Sequence, residues 1–240
     1  MCSSDLAAFA WRALGDIHTR IARFDKAKEA YEQALALSRE TRDRRGEALS
    51  LGPLANVYEQ LGQPEKSVEY FEQALVINRE VKNVVREINN LNGLGNAYLS
   101  LRKYDKAIEY YEQALAKFRE RKMPLGEALA LANLGSAHQG AGRNEKAVEY
   151  SQGALAIYRE RSLPAVEILP RLVLADAYRG LRQFEPATAQ DELALALARQ
   201  TRVRGREVEA LQNLMADWQA RKRMVLAIFF GKQAVNLLQE

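Results

Sequence analysis

Apolar and small residues recur along the whole chain at intervals of forty residues. Leucine occupies positions 14, 54, 94, 134, 174 and 214, and alanine occupies positions 34, 74, 114, 154, 194 and 234. LANVYEQLGQPEKSVEYFEQAL, which begins at Leu54, matches LGNAYLSLRKYDKAIEYYEQAL, which begins at Leu94, at 11 of 22 positions. A strict period of this length indicates an array of similar units, each of which packs mainly on its neighbours.

Within each repeat, the spacing of apolar positions predicts two helices. In the third repeat, apolar and small side chains recur at steps of three and four residues, which predicts one helix over about 86–101 and a second over about 104–121. The side chains that share a face are Ile88, Leu91, Leu94, Gly95 and Tyr98 in the first helix, and Ala107, Ile108, Tyr111, Ala114 and Leu115 in the second. Because only Arg102 and Lys103 separate these runs, the helices should form a tight hairpin.

The small residues predict where the two helices approach most closely. Gly95 and Ala107 are expected at the contact, with Tyr98 and Tyr111 filling the space beside it. Such a hairpin covers one face only. The next hairpin must cover the other face, which explains why the unit is repeated.

Some positions depart from this pattern. Pro53 lies inside a predicted first helix, where it cannot donate a backbone hydrogen bond, so we expect a kink or a shortened first turn. Pro170 poses the same problem nearer the start of its helix. Asp191 and Gly231 stand where the second helices of earlier repeats have an aromatic residue, and we expect those helices to pack less regularly.

Composition narrows the function classes. The chain has 35 basic and 31 acidic residues, interspersed along its length, for a formal net charge of +4. Nucleic-acid binding is not favoured, because a phosphate-binding surface needs clustered basic residues. No apolar run is long enough to span a membrane. The single cysteine, Cys2, provides neither a disulfide framework nor a metal pair.

The residues of the repeat resemble the tetratricopeptide repeat family, whose pattern is Trp, Leu-Gly and Tyr on the first helix and Ala, an aromatic and Ala on the second. The first repeat has Trp11, Leu14, Gly15, Ala27, Tyr31 and Ala34, with His18 in the tyrosine place. The forty-residue period is similar to bacterial multidomain arrays, kinesin light chains and spindle-orientation adaptors. The resemblance implies an all-α fold, a right-handed superhelical α-solenoid of six helix-turn-helix repeats. We place these at about 7–45, 46–85, 86–125, 126–165, 166–205 and 206–240, as one array.

The resemblance also implies a binding surface. In the family, first helices line a concave groove, and the positions opposite the packing stripe face it. Carried over residue by residue, this peptide-binding face comprises Arg12, Asp16, Asn56, Gln60, Asn89, Asn92, Asn96, Asn133, Ser136, Gln139, Asp176, Arg179, Gln212 and Asn213. Asparagine side chains both donate and accept, so they can pair with a peptide backbone whatever its sequence. Since these positions are mostly neutral, a clamp for acidic C-terminal tails is not expected.

The sequence therefore predicts a protein-protein interaction scaffold that binds a peptide or partner segment, without catalytic residues, cofactor or metal. His18 and His138 both take the tyrosine packing position, so we interpret them as packing residues rather than bases. The run Arg221-Lys222-Arg223, with arginines nearby, lies in turns between helices. No phosphate loop or nucleophile motif is present.

The two ends suggest alternatives. Residues 1–6 read like the translated end of a common sequencing-library adapter, which indicates a non-native leader; the alternative is a genuine helix cap. The last helix leaves Phe230, Leu237 and Leu238 without a following repeat to cover them. We expect either a recruiting or sensing fragment of a larger bacterial, cytoplasmic regulator or protease whose output domain is missing, or self-association through this helix.

Overall fold

A computed structural model describes residues 3–239, and within this range the chain forms twelve helices and no strand. The helices are α1 (Ser3–Arg20), α2 (Phe24–Glu40), α3 (Arg44–Gln60), α4 (Pro64–Glu80), α5 (Val84–Ser100), α6 (Tyr104–Glu120), α7 (Pro124–Gly140), α8 (Asn144–Glu160), α9 (Pro164–Gly180), α10 (Phe184–Thr201), α11 (Arg204–Ala220) and α12 (Met224–Gln239).

Consecutive helices pair as six helix-turn-helix repeats, which confirms the predicted all-α solenoid class. We call the odd-numbered helices first helices and the even-numbered ones second helices. The helix predicted over 86–101 is α5, and the one predicted over 104–121 is α6. From the second repeat to the sixth, each first helix begins two residues before the predicted repeat boundary.

The turns repeat with half the period of the sequence. One residue in each turn has a left-handed backbone conformation, and these residues recur every twenty positions: Ala22, Arg42, Gly62, Lys82, Arg102, Lys122, Gly142, Ser162, Arg182, Arg202 and Lys222. The turn after α5 shows their use, since the Lys103 amide donates to the Tyr98 carbonyl at 2.9 Å and the Arg102 amide to that of Leu99. This arrangement satisfies carbonyls at the end of the helix. The hairpin turns and the turns between repeats therefore have the same geometry.

Aromatic residues join the two helices of a hairpin. Tyr98 stacks on Tyr110 with ring centroids 5.5 Å apart, and the Lys106 ammonium lies 5.0 Å from the Tyr98 ring. Beside this stack, the buried Tyr111 ring lies against Gly95, where a Cβ would be 2.3 Å from the ring. The Tyr111 ring therefore requires a glycine at position 95, and the predicted contact of Gly95 with Ala107 stays a prediction.

Pro53 lies inside a helix of unchanged length. Helix α3 runs without a break from Arg44 to Gln60, the same 17 residues as α5 one repeat later. The expectation of a shortened first turn is therefore wrong, and the kink stays a prediction. Pro170 likewise lies inside α9.

The chain divides into two compact units, Met1–Lys117 and Phe118–Glu240. A cluster in the first unit is built on Leu51, Leu54 and Val57 with Tyr31 and Tyr58. A corresponding cluster in the second unit contains Ile168, Leu172, Leu211 and Leu214. Each cluster lies between helices of successive repeats, as expected for a repeat array that has no single core.

The predicted leader lies partly outside the described residues. Residues 1 and 2 belong to the part of the chain that is not described, and residues 3–6 lie in α1. Over residues 3–239, no helix has the length and apolar content needed to cross a membrane.

Candidate functional site

The fourteen predicted site residues all lie on first helices, and none of them is buried. Asp16, Asn56, Gln60, Asn89, Asn96 and Gln212 are exposed, and the remaining eight are partly exposed. On α3, α5, α7, α9 and α11 the apolar stripes are buried, whereas Trp11 and Leu14 of the α1 stripe are exposed. We call the predicted residues on α1, α3 and α5 the polar face of the first unit, and those on α7, α9 and α11 the polar face of the second unit.

In the first unit, second-helix tyrosines hold two members of the polar face. The Tyr111 hydroxyl donates to Asn96 Oδ1 at 2.6 Å, and the Tyr31 hydroxyl donates to Asp16 Oδ1 at 2.5 Å. Burial raises the pKa of both tyrosines, so both hydroxyls stay protonated donors at neutral pH. The amide of Asn96 therefore keeps its NH₂ group free to donate to a ligand.

Other groups on this face have no hydrogen-bond partner within the described chain. The Asn92 Oδ1 atom is buried and accepts no hydrogen bond, and Arg12 Nη1 donates none. Asn56 donates to the Gly52 carbonyl at 3.2 Å, so its oxygen remains an acceptor. A buried polar atom without a partner costs about 1–3 kcal/mol. A bound peptide could remove that cost by supplying the missing partner.

In the second unit, part of the predicted face is occupied by an internal charge cluster. Arg179 Nη1 lies 2.5 Å from a carboxylate oxygen of the fully buried Asp191 and 3.2 Å from Asp217, and Nη2 pairs with Asp176. Asn213 donates to Asp191 at 3.1 Å. These three predicted site residues, Asp176, Arg179 and Asn213, are thus already engaged in the protein's own hydrogen bonds.

The same cluster explains how the aromatic position tolerates an aspartate. Asp191 stands at the register position of Tyr31 and Tyr111, and α10 nonetheless forms at full length, because Arg179 supplies a counter-charge. Burial raises the pKa of Asp191 to about 7 although Arg179 opposes the shift. Burial also raises the pKa of Asp217.

The histidine prediction is confirmed for His138. It is buried and stacks on Tyr150 with ring centroids 5.1 Å apart and planes 4° apart, as Tyr98 does on Tyr110. His18 occupies the same register position on α1 and is partly exposed.

Three of the seven basic residues near the end of the chain pair with carboxylates within residues 3–239. Arg221 lies 2.9 Å from Glu185 and stacks over the Trp218 ring. Arg199 pairs with Glu207 and Arg206 with Glu209. The expectation that this region does not bind nucleic acid stays a prediction.

The apolar side chains that are exposed on α12 are not all the ones that the sequence predicted. Phe230 and Leu237 are partly buried against the cluster around Leu211 and Leu214, so their predicted exposure is wrong. Leu238 is 65% exposed, as predicted. The exposed side chains, which we call the apolar face of α12, are Met224, Val225, Ile228, Phe229, Val235 and Leu238. A cavity of about 440 Å³ opens beside them between α11 and α12.

One pocket bordered by two arginines was not predicted from the sequence. Arg45 and Arg86 lie beside two adjoining cavities of about 280 and 210 Å³ between α3, α4 and α5. In the sequence, nothing about the position of either arginine distinguishes it from an ordinary solvent-exposed side chain. Only the run of asparagines at 89, 90 and 92 was a signal in the sequence.

Comparisons with known proteins agree with the repeat pattern. The family model described as Tetratricopeptide repeat matches residues 5–80, 46–120 and 86–160. No curated protein matches the chain in sequence.

Solved structures share the fold at low sequence identity. A Signal Transduction ATPase with Numerous Domains protein with a tetratricopeptide repeat sensor, from Pyrococcus horikoshii, has a TM-score of 0.82 and 21% identity; the match covers 97% of this chain and 36% of that one. A putative kinesin light chain with nearly identical TPR-like repeats, from Podosopora anserina, has a TM-score of 0.70, 23% identity and coverages of 84% and 99%. A Rap protein complexed with Competence and Sporulation Factor has a TM-score of 0.63, 16% identity and coverages of 98% and 75%.

Proposed function

The chain belongs to the tetratricopeptide repeat family, and from that premise we propose that it is a protein-protein interaction scaffold whose polar faces bind an extended peptide or partner segment. The observation that carries the proposal is the placement of the fourteen predicted residues, all on first helices and all accessible. The structural neighbour solved with Competence and Sporulation Factor is a complex with a partner molecule, which supports a binding role for this fold.

The chemistry of the polar faces suits a peptide backbone. Amide side chains at 56, 89, 92 and 96 offer both donors and acceptors along α3 and α5 of the first unit, and Asn133 offers them on α7 of the second unit. Each hydrogen bond contributes about 0.5–1.5 kcal/mol net. Five or six such bonds give roughly micromolar affinity after the cost of ordering the peptide is subtracted.

A peptide-library screen tests the proposal. Random dodecapeptides are selected on the wild-type chain, and their affinities are compared with those for the double variant Asn92→Ala, Asn133→Ala, which removes one amide from each unit. We expect about a tenfold or greater loss of affinity. The matched control removes two exposed amides from second helices, Gln33→Ala and Gln200→Ala, and should bind as wild type does. Equal binding by all three proteins would refute the asparagine mechanism.

Self-association through the apolar face of α12 is the second candidate. Val225 is 82% exposed and Phe229 57% exposed, which is unusual for such side chains without a partner. Light scattering on the wild-type chain and on a Val225→Lys, Phe229→Lys variant tests it. A dimer or larger species that becomes monomeric in the variant supports this candidate, whereas a monomeric wild type excludes it.

The third alternative, a sensing part of a larger regulator, stays a prediction. The genomic locus tests it, because an output domain in the same open reading frame is its defining feature.

A further inference from the structure

The first unit contains a cationic pocket next to its polar face. Two adjoining cavities of about 280 and 210 Å³ lie between α3, α4 and α5 and share Ala48, Asn78 and Arg86 as lining residues. The smaller cavity is also lined by Asn56 and Asn89, which belong to the polar face of the first unit. The pocket is therefore continuous with the surface proposed to bind a peptide.

Positive charge in this pocket is not neutralised by the protein. Arg45 and Arg86 line the larger cavity, and neither forms an ion pair with any residue in 3–239. No described aspartate or glutamate is among the lining residues of either cavity. The glutamates in the first turns of α3 and α5 are engaged elsewhere, since Glu47 pairs with Arg39 and Arg44, and Glu87 with Arg79 and Lys117.

The two arginines are also at positions that disfavour a cation. Arg45 lies in the first turn of α3 and Arg86 in the first turn of α5. The amino end of a helix carries a partial positive charge, so a cation there is unfavourable and an anion is favourable. Helix stability therefore does not explain these residues, but the binding of an anion does.

A buried donor without a partner points to the same ligand. Asn90 lines the smaller cavity, is only 4% exposed, and its Nδ2 group donates no hydrogen bond within the described chain. Its Oδ1 atom lies 3.3 Å from where a Cβ on Gly52 would be, so the amide fits closely against α3. An anionic oxygen in the cavity would accept the unused N–H.

Apolar side chains also line the two cavities. Leu49 and Val81 lie in the larger one with Arg45 and Arg86, and Phe71 lies in the smaller one with Arg86. Arg45 is exposed and Arg86 is partly exposed, so a ligand can reach both arginines from solvent. The backbone at Arg86 is fixed at the start of α5, because the Asn83 side chain accepts a hydrogen bond from the Arg86 amide at 3.2 Å.

We propose that this pocket, which we call the Arg45–Arg86 pocket, binds a carboxylate of the peptide that lies on the polar face of the first unit. The carboxylate belongs to an Asp or Glu side chain or to the peptide's own C-terminus, since both present the same two oxygens. Arg45 and Arg86 supply charge, and Asn90 supplies a neutral donor. The proposal rests on the proposed function, and it differs from the sequence expectation that acidic peptide ends are not favoured.

Four synthetic pools of random dodecapeptides test the proposal. Apart from the varied groups, the pools contain no Asp or Glu. One central position is fixed as Glu or Gln, and the C-terminus is free or amidated, which separates the side-chain source from the C-terminal source. Peptides captured by the immobilised chain are quantified by mass spectrometry, and affinities of captured peptides are measured by fluorescence anisotropy.

We expect at least one carboxylate-bearing pool to bind about tenfold more tightly than the neutral, amidated pool. The Arg45→Gln, Arg86→Gln variant should lose this preference while still binding the neutral pool. The matched control, Arg102→Gln, removes an exposed arginine from a turn of the same unit and should retain the preference. Circular dichroism of each variant establishes that it is folded.

The outcomes separate the two proposals. If all four pools bind the wild type equally, or if the preference persists in the double variant, the Arg45–Arg86 pocket is not a carboxylate site and the peptide-binding function stands. If no pool binds, both proposals are wrong. If the double variant loses the preference and Arg102→Gln keeps it, both proposals are supported.

Discussion

At the residue scale, the fold depends on particular side chains that fill particular gaps. The buried Tyr111 ring occupies the space above Gly95 and its hydroxyl holds Asn96, so one tyrosine both packs the hairpin and orients a residue of the polar face. Tyr31, Gly15 and Asp16 repeat this arrangement in the first hairpin. In these hairpins, packing and the candidate site share the same residues.

Replacement of Gly95 by alanine should destabilise the protein. The new Cβ would lie 2.3 to 2.7 Å from three atoms of the Tyr111 ring, which is fully buried and cannot move aside. We expect a loss of about 1–3 kcal/mol in the free energy of unfolding, measured by urea denaturation.

Gly153→Ala is the matched control for this prediction. Gly153 lies inside α8, and the nearest atom to its added Cβ is Leu131 Cδ1 at 3.5 Å, an ordinary contact. Alanine should stabilise the helix there by about 0.5–1 kcal/mol. Equal effects of the two substitutions would show that helix propensity, and not the tyrosine ring, governs position 95.

The charge cluster around Arg179 should make stability depend on pH. The native pKa of Asp191 is raised to about 7, so the folded protein keeps a proton that the unfolded chain has already released. Unfolding is therefore favoured as the pH rises between about 4 and 7, with a slope of at most about 1.4 kcal/mol per pH unit.

Denaturation of the wild type and of Asp191→Asn at pH 5, 6, 7 and 8 measures this effect. The wild type should lose stability with rising pH relative to the variant, whose amide does not titrate. Asp25→Asn, at an exposed carboxylate of α2, is the control and should follow the wild type. Parallel curves for wild type and Asp191→Asn would contradict the raised pKa.

At the element scale, the helices are defined by their ends and by their register. The left-handed residues at twenty-residue intervals end successive helices in the same way, so first and second helices have nearly equal lengths. Ion pairs such as Arg39 with Glu47 and Arg79 with Glu87 recur at the junctions between repeats. Such surface pairs contribute about 0–1 kcal/mol each, so they specify register more than they stabilise.

Pro53 differs from the other positions inside α3, because it has no backbone N–H to donate to the Leu49 carbonyl. The helix nonetheless continues through it. Alanine at this position would restore a donor to the Leu49 carbonyl and remove the ring clash. We expect Pro53→Ala to raise the free energy of unfolding, by up to about 3 kcal/mol.

The control is Pro64→Ala, since Pro64 is the first residue of α4, where proline is favoured. It should give no gain in thermal or urea denaturation. If Pro53→Ala also gives no gain, α3 is already adapted to the proline and the expected cost is absent.

At the scale of the whole molecule, the sequence predicts the repeats well and the site only in part. The forty-residue register of Leu54, Leu94 and Ala114 located all six hairpins, because these positions are buried from the second repeat onward, although Leu14 in the first repeat is exposed. The role of Gly95 was predictable for the same reason. Both are properties of one repeat.

Features that depend on contacts between helices were not predictable. The pairing of Arg179 with Asp191 and Asp217 joins residues from three helices, and no periodicity in the sequence connects them. Arg45 and Arg86 are likewise ordinary arginines until α3 and α5 place them at one pocket. The sequence therefore indicates which polar side chains lie on first helices, but not which of them are already paired.

The most direct test of the account is to map where a selected peptide binds. Hydrogen exchange of the chain, measured by mass spectrometry with and without a peptide from the library screen, reports protection along each helix. We expect protection on first helices, α3 and α5 in the first unit and α7 in the second, with little change on α2, α8 and α12. Protection confined to second helices or to α12, with the first helices unchanged, would contradict it.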